Sequence, residues 1–584
     1  MSAGTTRVPP ALWAGAAALA ALLVATSVPG VFTIDESNYL VTVTGLRAGR
    51  LTVPGTEGLT PSNELAFFDP KPWARAIPRS PVGSTAPPLY SVIALPFSFF
   101  GWRGLVAVNA LAWLLSGLLV FALASRFARE RRTPWIALGT YLLGGYGLEY
   151  AQGVWPHALA ACLATAGFLF ASRARDGEMA FALLAGVALG FATGVRYQNL
   201  VFAGSVAVAL LLWGERRVLA TALFASGYAP LLLACSYANH VRLGSWNPIS
   251  KGPGYLSVGP GRSLGTIVTE AFHVFYAKVV DYAANPAPFD PKARAFVFFG
   301  AVKKSWLQSS PWLALALIGL LLAWKRTAPS ETTRGAARET RAASLTIALT
   351  LASFAVAGFS REDGICFNQR YFIELVPIGA AVFAWSLEGR ALAARPAVLG
   401  AAAALAVGGL LLLLDPATGL RHQLEYGVPL AIAALLLLSF VLRAPRRGWA
   451  LPAAAAAAVS WAAVIHVGED VPTTRAWRTS NARKLRDLDA RLPRGAPEAL
   501  LAFRPWPDTF GPLLLNRDLV IVDGKIDDGR TLVPITRELL AKGRRVHLLA
   551  LDMPKEIGAE LSRTFRVTLP AESRPIPLFE VAPR

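Results

Sequence analysis

Apolar runs close to bilayer-spanning length recur along most of this chain, and short basic clusters separate them. About 20 apolar residues are needed to cross a hydrocarbon core of roughly 30 Å. Within lipid each segment must satisfy its own backbone polar groups, so such a chain is restricted to helices packed on one another. Of 584 residues 54% are hydrophobic and 16% charged, well below the roughly 25% charged of soluble domains. The formal charge of +20 would suit nucleic acid if it gathered on one face. The basic residues instead sit between the apolar runs, where they act as topology signals.

The first span covers about 11–31 and reads as an uncleaved helix rather than a signal peptide, because its apolar stretch exceeds a usual h-region and more spans follow. Pro87-Pro88-Leu89-Tyr90 through Phe100 is apolar but short and contains Pro96, so it reads as a re-entrant or interfacial helix. Further spans are expected near 104–125, 135–149, 156–172, 179–195, 199–213, 218–238, 309–324, 344–360, 371–387, 397–414, 427–442 and 449–467. This makes the fold class mainly α, a polytopic membrane protein of roughly thirteen helices. The expected cytoplasmic loops carry Arg126, Arg129, Arg131, Arg132, Arg173, Arg175, Arg216 and Arg217, then Lys325, Arg326, Arg334, Arg338, Arg341, Arg390, Arg395, Arg443, Arg446 and Arg447. The short outer loops hold only Arg196, Arg361, Arg370 and Arg421. That bias places the N-terminus in the cytoplasm of a plasma (inner) membrane protein and the C-terminus outside.

Two outer loops are long, 32–103 and 239–308, and long loops on one face are where a site is built. The membrane domain is expected over 1–467. From 468 to 584 charges and prolines are frequent, and a small extracytoplasmic α/β domain is expected, with a surface helix at Asn481–Arg491, strands at 519–523 and 546–551, and a helix at 532–542 between them. Cys162, Cys235 and Cys366 lie far apart and indicate neither zinc nor a disulfide framework.

Asp35 and Glu36 stand just past the first span, and adjacent carboxylates at a bilayer edge are costly. Thr33-Ile34-Asp35-Glu36 fits a capping box at the start of a helix running from Ile34 to about Ala48. Capping accounts for Glu36 and, through the helix dipole, only partly for Asp35. Neighbours on a helix project about 100° apart, which splits the pair: Asp35 toward a cavity, Glu36 toward the cap or a second ligand.

An Asp-Glu pair after the first span resembles the membrane glycosyltransferases of the GT-C fold, which include the dolichyl-phosphate-mannose protein mannosyltransferases and the lipid A aminoarabinose transferases. Pro87-Pro88-Leu89-Tyr90 with Phe100-Gly101, and Phe367-Asn368-Gln369-Arg370-Tyr371 through Pro377, are similar to two further elements of that family. Two positions depart from it: Ala86 stands where relatives often carry His, and Trp155-Pro156-His157 where they often carry an acidic residue. The resemblance implies an enzyme that transfers a sugar from a polyprenyl-phosphate carrier to a protein, lipid or glycan acceptor on the outer face.

A hydroxyl acceptor needs a base within reach, and one carboxylate suffices for a single inverting displacement. Asp35 and Glu36 are the catalytic candidates, with Asp35 as the base. A leaving lipid phosphate needs positive charge, which nominates Arg196, Arg370, Lys251 and Arg262. Each has a blander account: snorkelling for Arg196, an ion pair one helical turn on with Glu374 for Arg370, loop surface charge for Lys251 and Arg262. Tyr39, Tyr90, Glu149, Trp155 and His157 are the acceptor or sugar-binding candidates, against interfacial placement of the aromatics. No metal motif is present, and a divalent cation, Mg or Mn, on the Asp35-Glu36 pair is the one cofactor option. The alternatives are a flippase or transporter of lipid-linked glycans, or a non-catalytic polyprenyl-lipid-binding envelope protein. Charges at span ends rather than mid-span weigh against transport.

Overall fold

The apolar runs fold as helices, with several prolines in first turns and two, Pro96 and Pro230, inside helices. Pro10, Pro88 and Pro134 each sit in a first turn, whose N–H groups have no intrahelical partner. The computed structural model describes residues 8–52, 84, 86–249, 309–316, 331–357, 370–414, 427–442, 448–492, 495–503, 509–523, 532–569 and 577–584. In chain order the helices are α1 (Pro10–Ala25), α2 (Ile34–Arg47), α3 (Pro88–Ser98), α4 (Gly101–Phe127), α5 (Thr133–Gly144), α6 (Leu148–Ala151), α7 (His157–Arg175), α8 (Ala180–Val195), α9 (Asn199–Trp213) and α10 (Arg217–Leu243). They continue with α11 (Glu331–Ala357), α12 (Val376–Ser386), α13 (Ala394–Leu414), α14 (Gly427–Val441), α15 (Ala450–Ile465) and α16 (Val471–Asp489). Among the described residues, five helical stretches are long and apolar enough to cross a membrane by length and composition: 101–127, 157–175, 217–243, 394–413 and 450–489.

α3 has 11 residues, roughly 16 Å of rise, half of a hydrocarbon core. It runs almost directly into α4 because Gly101 takes φ +65°, the left-handed region that a residue with a side chain avoids. That turn gives the Phe100-Gly101 element a backbone function.

The loops sort to two ends. At one end Arg126 and Arg338 both pair with Asp176, Arg175 pairs with Glu339 at 2.5 Å, and Arg132 donates to the Arg390 carbonyl at 2.7 Å. These are the arginine-rich loops that the basic bias groups together. The opposite end gathers the start of α2, the 152–157 turn, Arg196 and Arg370.

The last span and the polar region after it are not separated by a loop. α15 passes through a π-helical turn, His466–Asp470, into α16. The expected surface helix at Asn481–Arg491 is the second half of this longer element. Beyond it lie β1 (Glu498–Ala502), β2 (Leu519–Asp523), α17 (Leu532–Ala541), β3 (Arg545–Leu549), α18 (Lys555–Thr564), β4 (Phe565–Thr568) and β5 (Leu578–Pro583). The strands form one sheet of order β2-β1-β3-β5-β4, parallel through its first three strands and antiparallel through the last two.

Among the described residues the two large hydrophobic cores lie in the helical bundle and around the sheet, with a small third cluster of Ala404, Trp461 and Ile465. α2 belongs to both: Tyr39, Leu40 and Val43 pack into the bundle, and Val41 into the core of the sheet unit. In return Leu515, from a 3-10 turn of the sheet unit (Gly511–Leu515), packs into the bundle.

Candidate active site

α2 begins one residue after Thr33, as the capping motif predicts. The Glu36 half of the box forms: its carboxylate accepts from the backbone N–H of Phe32 at 2.5 Å and of Thr33 at 3.3 Å. The Thr33 half is weak. Residue placement satisfies the box, but the Thr33 hydroxyl makes no cap hydrogen bond, and the Glu36 amide donates to the Thr33 carbonyl at 3.2 Å. Glu36 has further partners: Val154 N–H donates at 2.8 Å, and Arg478 Nη1 at 2.9 and 3.1 Å to its two oxygens. Glu36 is fully buried, whereas the side chain of Asp35 is 42% exposed. The two acids are therefore inequivalent, as the 100° projection requires.

Asp35 forms an ion pair with Arg370. The Arg370 carbonyl accepts from Arg196 Nη1 at 3.0 Å, and the same nitrogen donates to Glu374 at 2.6 Å. Asn199 Nδ2 reaches Glu374 at 3.4 Å. Two ion pairs, Asp35–Arg370 and Arg196–Glu374, are thus joined through the Arg370 backbone carbonyl, linking α2 to residues 196–199 and 370–374. Arg196 and Glu374 are both buried, so Arg196 does not snorkel. The expected Arg370–Glu374 pair is replaced by Arg196–Glu374. Residues Arg370–Leu375 form a 3-10 helix, in which side chains three apart eclipse and those four apart diverge.

Tyr39 and Tyr90 meet edge to face, ring centroids 4.9 Å apart. Burial, followed by the Asp35 carboxylate, pushes the Tyr39 phenol above its ordinary value, so it remains protonated. Asn109 Nδ2 donates to Tyr90 Oη at 2.9 Å and to the Gly153 carbonyl at 2.7 Å, tying the Pro-Pro-Leu-Tyr helix to the turn that caps Glu36. Glu149, Trp155 and His157 are buried rather than interfacial. Tyr150 packs against Trp155 at 4.8 Å and His157 at 4.6 Å, and Trp155 reaches Phe32 at 5.5 Å. Lys251 and Arg262 lie outside the described residues.

Three contributors escape the sequence reading, two of them with no local sequence signal. Arg478 sits in a stretch with no apolar periodicity, 442 residues from its partner. Asn109 lies inside an apolar run. Arg242, at the end of α10, donates to the carbonyls of Ser84 at 3.0 Å and Ala86 at 2.6 Å, holding the chain that enters α3. Only its position past the last apolar residues of a span could have marked it.

No protein-family model and no curated protein matches the sequence. Solved structures do match. ArnT from Cupriavidus metallidurans in the apo state aligns with TM-score 0.54 and 14% identity, over 98% of this chain and 97% of that one. The same protein bound to undecaprenyl phosphate aligns with TM-score 0.52 and 13% identity over the same shares. The chain has the GT-C fold of ArnT. An oligosaccharyltransferase from Archaeoglobus fulgidus aligns more loosely, with TM-score 0.42 and 13% identity over 92% of this chain and 69% of that one.

Proposed function

We propose that this chain is a multi-pass membrane glycosyltransferase that moves a sugar from a polyprenyl-phosphate carrier to an acceptor on the extracytoplasmic face, with inversion and with Asp35 as the base. The observation that carries the reading is the contact of Asp35 with Arg370, beside Arg196, in a fold whose ArnT counterpart has been solved with undecaprenyl phosphate. The membrane part then covers 1–467 and the extracytoplasmic unit 468–584, with the arginine-rich end in the cytoplasm.

In this scheme the donor phosphate exchanges with Asp35 for the guanidinium of Arg370, and Asp35 is released to accept the acceptor proton. The acceptor oxygen then attacks the anomeric carbon as the bond to the carrier phosphate breaks, and Arg370 and Arg196 stabilise the charge that develops there. Glu36 is the positioning carboxylate, because both its oxygens are already engaged. A Mg or Mn ion would therefore be held through Asp35, in exchange with Arg370, rather than by the two carboxylates together.

The test uses purified protein in lipid with a panel of polyprenyl-phosphate sugars. Asp35→Asn is expected to bind undecaprenyl phosphate as the native protein does and to transfer about 10²–10⁴-fold more slowly. Full activity in that variant removes Asp35 as base. Movement of the lipid across the bilayer without covalent transfer would favour a flippase.

A further inference from the structure

Asp35 and Glu36 are successive residues of one helical turn, so whatever fixes the Glu36 carboxylate fixes the backbone from which Asp35 projects. Arg478 fixes it from α16, the helix that leads into the sheet unit. Its side chain is 3% exposed, and Nη1 also donates to the Gly30 carbonyl at 2.8 Å. Two glycines leave room for this pair. A Cβ on Gly30 would lie 2.1 Å from the Arg478 carbonyl oxygen, and one on Gly153 would lie 2.1 Å from Arg478 Nη2 and 2.5 Å from Glu36 Oε1. One turn along α16, Asn481 donates to the Val31 carbonyl at 2.9 Å. At the far end of α2, Arg47 donates to the Leu515 carbonyl at 2.7 Å. The approach to α2, its first turn and its end are thus held by residues that come after the last span.

We propose that Arg478 is a positioning residue: acting through Glu36, it sets the orientation of the first turn of α2 and so aims the Asp35 carboxylate at Arg370. The inference rests on the reading of Asp35 as base. Stability alone does not account for the pair, because a buried ion pair is often no more stabilising than well-packed apolar residues of similar volume. What the pair adds is direction. One guanidinium nitrogen, Nη1, bridges both carboxylate oxygens, and three backbone amides converge on the same carboxylate and hold it in one orientation.

The experiment compares Arg478→Met/Glu36→Gln, Arg478→Lys, Arg478→Met and Asp35→Asn, each as the full chain in lipid. The double variant removes both buried charges and keeps an amide oxygen for the backbone donors. It is expected to fold, to bind undecaprenyl phosphate with native affinity, and to lose roughly 10–100-fold in kcat, as a displacement of about 1 Å costs. Arg478→Lys is expected to recover part of that loss relative to Arg478→Met. Native kcat in a folded double variant overturns the proposal, as does an Arg478→Lys variant no better than Arg478→Met. If the double variant does not fold, Arg478→Lys decides by the same split between kcat and binding. A fully active Asp35→Asn overturns the base reading and this inference with it. An inactive Asp35→Asn beside a native-rate double variant overturns only the inference.

Discussion

At the scale of single residues, two neighbouring acids of one chemistry have opposite environments, and that split is partly legible in the sequence. The capping motif assigns Glu36 its structural task and leaves Asp35 over, as the structure has it. The partners are not legible. Spacing offers only local candidates, so it matches Arg370 with Glu374, whereas Glu374 belongs to Arg196 across the fold. Arg196→Met would strand Glu374 as a buried unpaired charge. The expected cost is about 3–5 kcal/mol, read as a lowered unfolding temperature, and Arg196→Met with Glu374→Leu should recover most of it. A double variant as unstable as the single one would show that the pair is not what the site depends on. In the sheet unit, burial pulls His547 below its ordinary value of 6.5, and nearby Arg545 and Arg517 add to this against Glu580. The unfolded chain then binds a proton near pH 6.5 that the native unit resists. The contribution of His547 therefore turns against folding as pH falls through about 6.5, and levels off below the native value. His547→Gln should flatten the loss of stability between about pH 7 and 5, and an unchanged slope would place the effect elsewhere.

At the scale of elements, apolar length locates helices well and polar continuity poorly. The helix after the first span is expected from Ile34 to about Ala48 and is found at Ile34–Arg47. Only the second half of α16, with Ala482, Leu485 and Leu488 on one buried face, is legible, because the first half carries no apolar stripe. Its helix is inherited from α15 through the π-turn, which no local pattern announces. A π-turn inserts a residue into a helix and re-aims the turns on its C-terminal side. Here those turns carry Arg478. The α3–α4 connection makes a sharper prediction. Gly101→Ala forces a side chain into the left-handed region and should cost roughly 1–2 kcal/mol. Gly139→Ala, in the interior of α5 where a Cβ meets nothing within 4 Å, should be neutral or stabilising. Equal unfolding temperatures for the two variants would contradict the assigned role of the turn.

At the scale of the whole molecule, alternating basic loops predict that the connections divide between two ends, and the ion pairs of Asp176 and Glu339 show that the basic loops meet. The sheet unit is expected as an appended domain, and its strands and helix lie within a few residues of expectation. Its intimacy with α2 is not expected, because a single apolar residue such as Val41 carries no mark of which core it joins. A chain ending after α16 should leave Val41 uncovered. It is expected to insert and remain helical, yet to lose protection of α2 from proteolysis and to lose transfer. An active, protease-resistant truncated chain would refute the shared-core account.

The clamp between Glu36 and Arg478 also has a consequence in time. The two residues are 442 positions apart, and synthesis at about 5–20 residues per second separates their appearance by roughly 20–90 s. Throughout that interval the first turn of α2 has been made but cannot be seated. The segment translated among the earliest is thus among the last to become native. A chain released before residue 478 is made would lack the partner that holds Glu36, and on the proposed roles of Asp35 and Arg478 it would be inactive.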